Sequence, residues 1–497
     1  MSHPQRHADW QQMAAAKRFE TRAFINDQFV EAASGETFET LNPATGKRLA
    51  RVASCDAPDA ELAVGHARAA FQAGDWSRLA PGRRKKILLA LADLMEANRH
   101  ELALLDTLDM GKPITSSLGD MQGAIGCLRY HAESIDKLFG EVAPTGEESL
   151  ALVLREPLGV VASIVPWNFP LMMTAWKIAP ALAAGNSVIL KPSEKSPLSA
   201  LRLAELAREA GMPSGVFQVL PGFGHTVGKA LALSMGVDCL SFTGSTQVGK
   251  QLMQYAGQSN LKKVYLECGG KSPNLVFADC KDLDKVARHA AEAIFHNQGE
   301  VCIAGSRLLV ENSIREAFVE KVLAAAETMQ PGDPLDPESF MGAMVDETQH
   351  RRVLDFIRQG VDEGASLRAG GEALKGDGWF IPPTVFDGVT PQMVIGREEI
   401  FGPVLAIFGF DREEEAIAMA NDSDYGLAAG FWSQDIDRIM RVTRRLHSGQ
   451  VFVNNWAGGD QTVPFGGVKQ SGNGRDKSHH SLEEYSELKT VWMSLTP

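Results

Sequence analysis

Cys302, Glu267 and Asn168 have side chains suited to acyl chemistry, and each lies in a segment that restrains its backbone. Cys302 sits in Asn297-Gln298-Gly299-Glu300-Val301-Cys302-Ile303-Ala304-Gly305. Its neighbouring glycines let a ligand approach the main chain closely. A thiol there serves as a nucleophile when its pKa is lowered and it is accessible; otherwise a cysteine packs as a small apolar residue. Glu267 ends an apolar run and precedes Cys268-Gly269-Gly270-Lys271, which suits a general base or a cap for a following helix. Asn168, in Pro166-Trp167-Asn168-Phe169-Pro170, is either a held amide for a developing oxyanion or a turn residue.

A second set of residues suits a nucleotide. Pro221-Gly222-Phe223-Gly224 and Phe242-Thr243-Gly244-Ser245 each follow an apolar run and lead into a helical pattern, so their backbone N–H groups can face a pyrophosphate. Neither matches GxGxxG, and ordinary strand-to-helix turns look the same. Lys191-Pro192-Ser193-Glu194 adds a cation and a carboxylate. The two suit ribose hydroxyls, with Glu194 repelling the extra phosphate of NADP, or form a solvated pair.

Positioning these groups requires alternating elements. Apolar residues recur at helical spacing over 57–70 and 82–108, with a further helix near 119–139. A β-rich stretch at 150–165 follows. Strands at 187–190, 216–220, 239–242 and 264–267 then alternate with helices at 197–210, 225–233 and 247–256. This alternation predicts a parallel sheet covered by helices on both faces. A second α/β series runs from 274 to about 472, with helices at 283–295, 314–326 and 412–420. The tail at 488–495 reads as an exposed strand that pairs with something, for example another subunit.

At 497 residues the chain exceeds one hydrophobic core. Its net charge of −13 disfavours nucleic acid and anionic membrane surfaces as partners. The polar start shows no signal-peptide h-region, and no apolar run spans a bilayer. Cys55, Cys127, Cys239, Cys268, Cys280 and Cys302 form no CxxC and no metal-ligand spacing. We therefore expect free thiols, no metal, and a cytoplasmic location.

Taken together, the segments 166–170, 191–194, 242–245, 267–272, 297–302, 399–403 and 464–467 resemble the aldehyde dehydrogenase superfamily in order and content, over about 22–492. The resemblance implies an α/β fold with three parts: a Rossmann-like NAD-binding domain (1–139 and 157–267), a catalytic domain (268–481), and a small β projection joining subunits (140–156 and 482–497). It makes Cys302 the nucleophile that forms a thioester, Asn168 with the Cys302 N–H the oxyanion site, and Glu267 the base for hydrolysis. Lys177 and Asp476 match positions that assist proton movement, although the family usually carries Glu at the second. Trp167, Lys191, Glu194, Gly224, Gly244, Ser245, Glu399 and Phe401 match the NAD-binding positions.

Finer likeness in 186–198 (NSVILKPSEKSPL), 449–455 and 462–477 (TVPFGGVKQSGNGRDK) points to the ω-aminoaldehyde branch. It implies γ-glutamylamino, guanidino or amino aldehydes from polyamine and arginine breakdown. Asp120 and Asp460 would hold a cationic far end at the tunnel mouth, and Gly123 would leave room. Trp176, His296, Trp456 and Phe465 would form walls, with core packing as the alternative. A CoA-acylating relative is disfavoured by Glu267, and a non-catalytic oligomer or thiol hydrolase by the full motif set. A homo-oligomer acting on a small aldehyde is expected.

Overall fold

The structure, a computed structural model, describes residues 4–495. The first three residues and the last two lie outside it, and with them the extreme ends of the segments 1–139 and 482–497.

Strands Val160–Ile164, Ser187–Lys191, Phe217–Val219, Cys239–Thr243 and Lys263–Glu267 form a parallel sheet. An antiparallel pair, Ala23–Ile25 and Gln28–Val30, extends one edge. Every residue of Val160–Ile164 and Ser187–Lys191 is buried, which is why these runs read as continuously apolar rather than alternating. From Val160–Ile164 the chain proceeds outward through Ser187–Lys191 and Phe217–Val219, then returns to place Cys239–Thr243 on the opposite side. The order therefore reverses between Val160–Ile164 and Cys239–Thr243. Open α/β sheets bind ligands at such a reversal, beyond the carboxyl ends of the strands. Trp167 and Asn168 follow the first of these strands, and Gly244 and Ser245 the second.

A second seven-stranded sheet is built from residues 273–453, with Arg307–Glu311, Pro273–Val276 and Ala428–Trp432 at its centre. The two sheets are joined by the 466–476 segment: the Cys268 N–H donates to the Ser471 carbonyl (2.8 Å), and the Asn473 and Gly474 N–H groups to the Leu266 carbonyl (3.0 Å). Among the described residues, no helix is long and apolar enough to cross a membrane.

Several expectations change. The stripe at 82–108 is two helices, Pro81–Ala97 and Arg99–Met110, broken where Asn98 turns its amide back onto the Leu94 carbonyl (2.8 Å). The helix expected at 119–139 begins five residues earlier, right after Pro113, and spans Ile114–Ser134; proline favours a first turn. The helix expected at 225–233 opens as a π-turn, Gly224–Gly228. The tail strand, Ser486–Ser494, pairs antiparallel with Ser149–Pro157 of its own chain, with Trp492 opposite Ala151. Among the described residues its outer edge carries no strand, and Leu488 and Trp492 on it are exposed.

Candidate functional site

The helix Leu283–Phe295 ends in three successive left-handed residues, Asn297 (φ 50°), Gln298 (φ 57°) and Gly299 (φ 72°). Left-handed non-glycine residues are costly and concentrate where the surroundings force them. Here Gln298 is clamped by its amide to the Ala343 carbonyl (3.1 Å) and by the Gly342 N–H to its oxygen (2.9 Å). A Cβ on Gly299 would fall 2.2 Å from the Gly402 carbonyl, so no other residue fits. The bend sets the Glu300 carbonyl 2.8 Å from the Asn168 side-chain amide. That amide carries two N–H donors, and Glu300 takes one. Asn297 also reaches the Asn168 carbonyl (3.1 Å); its side chain fixes the loop, a role that its sequence neighbourhood did not signal.

Cys302 is reached by water yet surrounded by protein, the condition of a group in a narrow cleft. Burial, then the charges of Glu399 and Glu267, push its thiol up to about 12. A lowered thiol pKa, expected of a resting nucleophile, is therefore absent, and the proton must leave when the thiol reacts. Glu267 lies at the end of its strand, 2% exposed, with neither carboxylate oxygen hydrogen-bonded. Its carboxyl is held well above the ordinary range by burial and then by the charge of Asp476. Gly466 gives it space: a Cβ there would lie 2.7 Å from Oε1.

Lys177 donates to both Asp476 oxygens, at 2.9 and 2.8 Å, with both side chains almost fully buried. The shorter aspartate thus spans the gap. Asp476→Asn strands a buried ammonium, and removing one member of a buried pair costs about 3–5 kcal/mol. The expected outcome is a clear fall in the midpoint of thermal or urea unfolding. An unchanged midpoint would mean that the pair contributes nothing.

The reversal crevice holds the nucleotide-type residues. Lys191, buried, places its ammonium 3.2 Å from Glu194; burial lowers its pKa while Glu194 opposes this. Ser245 caps the helix Thr246–Gln258, accepting from the Val248 N–H (3.4 Å), next to the Gly244 turn. Beside Gly224 no protein atom approaches within contact distance of where a Cβ would stand, leaving open space. Glu399 accepts from the Gly270 N–H (3.0 Å) and is pushed up to about 7 by burial. A Cβ on Gly269 would collide with it at 2.0 Å. Phe401 (φ 59°) sets its ring edge-on to Trp167 at 5.3 Å, its carbonyl held by the Gln349 amide (2.7 Å). Buried charge, helix N–H groups, open space and two aromatic faces together fit a dinucleotide.

The tunnel residues divide. Trp176 and Phe465 lie against each other, their rings 4.9 Å apart. Asp120 does not offer a free carboxylate to a substrate cation, because the buried Lys112 ammonium lies 2.5 Å from it. Lys112 also sits 3.9 Å over the Phe169 ring. The room at Gly123 is taken by Met172, whose sulfur would be 3.3 Å from an added Cβ. Trp456 packs against Gly430 of the second sheet, against Gly305 and against Phe452 (5.6 Å). His296 is exposed, with Asp120 and Lys112 the nearest charges acting on it. Asp460 lies on an exposed loop and accepts from the Thr462 N–H (2.8 Å) and hydroxyl (2.6 Å). Among the described residues, no group of three or more His, Cys, Asp or Glu is arranged to hold a metal.

A doubly wound sheet with a polar crevice at its reversal point is the architecture of a nucleotide-dependent dehydrogenase. The model of the aldehyde dehydrogenase family matches residues 29–491. The NADP/NAD-dependent aldehyde dehydrogenase PuuC of Escherichia coli is 54% identical over 489 residues, covering 98% of each chain. Among solved structures, the AldA indole-3-acetaldehyde dehydrogenase of P. syringae, in complex with NAD+ and IAA, is 56% identical with a TM-score of 0.98, covering 99% of this chain and all of that one. The gamma-glutamyl-gamma-aminobutyraldehyde dehydrogenase of Burkholderia cenocepacia is 54% identical with a TM-score of 0.97 and the same coverage. The chain belongs to the aldehyde dehydrogenase family.

Proposed function

We propose that the protein oxidises aldehydes bearing an amino, γ-glutamylamino or guanidino far end to their acids, with NAD as acceptor and Cys302 as nucleophile. The observation that carries the chemistry is the cleft-bound Cys302 thiol, two residues beyond the Glu300 carbonyl that holds the Asn168 amide (2.8 Å) and near enough to Glu267 for its charge to act on it. The Cys302 thiol gives its proton to solvent water as its sulfur bonds to the aldehyde carbon, and the carbonyl electron pair moves onto oxygen. Asn168 and the Cys302 N–H hold that oxygen. Bound NAD supplies the acceptor for the hydride that leaves the same carbon, and a thioester remains on Cys302. Glu267 then takes a proton from water, whose oxygen displaces the sulfur; the thiolate recovers its proton and the acid departs. Lys177 and Asp476 hold the charge beside Glu267. Lys191, Glu194, Gly224, Gly244 and Ser245 face the adenosine and pyrophosphate side, and Trp167, Glu399 and Phe401 the nicotinamide side.

The substrate class rests on the likeness to PuuC and to the Burkholderia enzyme, with the ring pair Trp176 and Phe465 read as an aromatic wall of the substrate tunnel. That aromatic wall also favours a second reading, an aromatic aldehyde such as the indole-3-acetaldehyde named for the P. syringae neighbour. NADH formation with matched aldehydes separates them. We expect kcat/KM roughly tenfold or more higher for polar-ended than for neutral aliphatic or indolyl aldehydes, about 1.4 kcal/mol of discrimination. Equal or better rates with neutral ones would overturn the substrate class and leave the oxidation standing.

The 268–481 segment is read as the catalytic domain, and 1–139 with 157–267 as the NAD domain. The segments 140–156 and 482–497 are read as the oligomerisation projection, supported by the three-stranded sheet of Glu141–Ala143, Ser149–Pro157 and Ser486–Ser494 and by the exposed Leu488 and Trp492 on its edge strand. Six cysteines without a disulfide suit the cytoplasm.

A further inference from the structure

Lys477 has an unusual backbone. Its φ of 62° and ψ of −176° lie in a region that only glycine enters freely, and the next residue, Ser478, is also left-handed (φ 53°). Both flanks lock this conformation. Phe465 and Asp476 exchange backbone hydrogen bonds (2.8 and 2.7 Å), and the Ser478 N–H donates to the Gln461 carbonyl (2.9 Å). The result is a buried lysine, 8% exposed, whose ammonium stands 5.4 Å from the centre of the Trp176 ring.

That ammonium has no hydrogen-bond or ion-pair acceptor among the described residues. The acidic groups acting on it are Cys127, Asp460 and Asp476. Asp476 is already bound by Lys177 with both oxygens, and Asp460, on its exposed loop, makes no ion pair with Lys477 and gives only one of its oxygens to Thr462. Two polar atoms on neighbouring residues are buried and unmatched: the indole N–H of Trp176, and the side-chain oxygen of Gln461, whose main-chain carbonyl takes the Ser478 N–H and whose side-chain amide reaches the Gly123 carbonyl (3.4 Å). Unmet buried donors and acceptors are rare in folded proteins and call for a partner. Two donors and one acceptor beside one aromatic wall match a chain that carries a carboxylate and an amide.

We propose that Lys477 is a specificity-determining residue that binds a carboxylate on the far part of the aldehyde, with the Trp176 N–H assisting. The site then selects an aldehyde ending in an α-amino acid, whose ammonium faces the exposed Asp460, over one ending in an amine or guanidinium alone. This rests on the reading of the Trp176–Phe465 wall as the substrate's. It also accounts for the strain: lysine is retained where glycine would be more stable because its charge is used.

The test compares two aldehydes of the same length, one with a terminal carboxylate and one with its methyl ester, in the wild type and in Lys477→Met, Lys477→Arg and Lys477→Gly. We expect the wild type to prefer the acid through KM, Lys477→Arg to keep that preference, and Lys477→Met and Lys477→Gly to reduce it roughly tenfold or more. Lys477→Gly should also raise the melting temperature, since it removes the backbone strain; a purely structural lysine would not combine higher stability with lost selectivity. An acid-to-ester preference unchanged in both Lys477→Met and Lys477→Gly overturns the proposal, as does an equal fall on both substrates. The broader reading of polar-ended aldehydes is judged separately, by wild-type rates on amino and guanidino aldehydes against neutral ones.

Discussion

Cys302→Ala is expected to abolish NADH formation from every aldehyde, by at least roughly 10⁴-fold in kcat as for other nucleophile deletions, while NAD still binds with nearly wild-type affinity. The sulfur supplies the only bond that holds the aldehyde carbon during oxidation in the proposed mechanism. The cofactor-side groups, from Lys191 to Phe401, belong to other segments of the chain. The loop around Cys302 is held by Asn168, Asn297, Gln298 and Glu300, so losing one sulfur atom leaves its shape in place. Titration of NAD by fluorescence, beside a turnover assay, measures both. Loss of NAD binding together with activity would make Cys302 a structural residue.

Glu267→Gln should show the second-largest effect, confined to one half of the cycle. A burst of about one NADH per active site is expected, followed by a steady rate lower by roughly 10²–10⁴-fold, the usual contribution of a general base. The pH profile carries the sign. Glu267 is held well above the ordinary carboxylate range by burial and then by the charge of Asp476, so its proton-accepting, deprotonated form gains population as pH rises. The wild-type steady rate should rise as pH climbs through that raised pKa, and the variant should lose this rise. Because the buried carboxyl lacks hydrogen-bond partners, an uncharged amide of the same shape should cost little stability. A variant with a normal steady rate and no burst would remove Glu267 from the hydrolytic step.

Two kinds of element were legible: a helix whose single buried face repeats at helical spacing, and a strand whose burial on both faces leaves a short continuous apolar run. Leu283–Phe295 and Ser187–Lys191 appeared at nearly their observed bounds. Elements governed by special contacts were not. The helix Pro170–Ala183 includes Pro180 and is buried almost throughout, so it has no polar stripe to mark a period and read only as core. The helix Glu347–Asp362 supplies Gln349, which holds the Phe401 carbonyl, and was likewise unassigned.

The motifs of Cys302, Glu267 and Asn168, and the alternation of strands and helices, are local patterns, so the amino-acid sequence alone determined the reaction class and the parallel-sheet architecture. Which charges remain free was decided only by the tertiary structure. Asp120 lies eight residues from Lys112, but only the packed helix ends bring the two together and neutralise the carboxylate. Asp476 and Lys177 lie far apart in the chain and meet in the interior. Lys477 emerged as a cation without an ion-pair partner only once the fold had given both Asp476 oxygens to Lys177 and set Asp460 on an exposed loop. Pairing depends on distances across the interior, and a linear chain does not carry those distances.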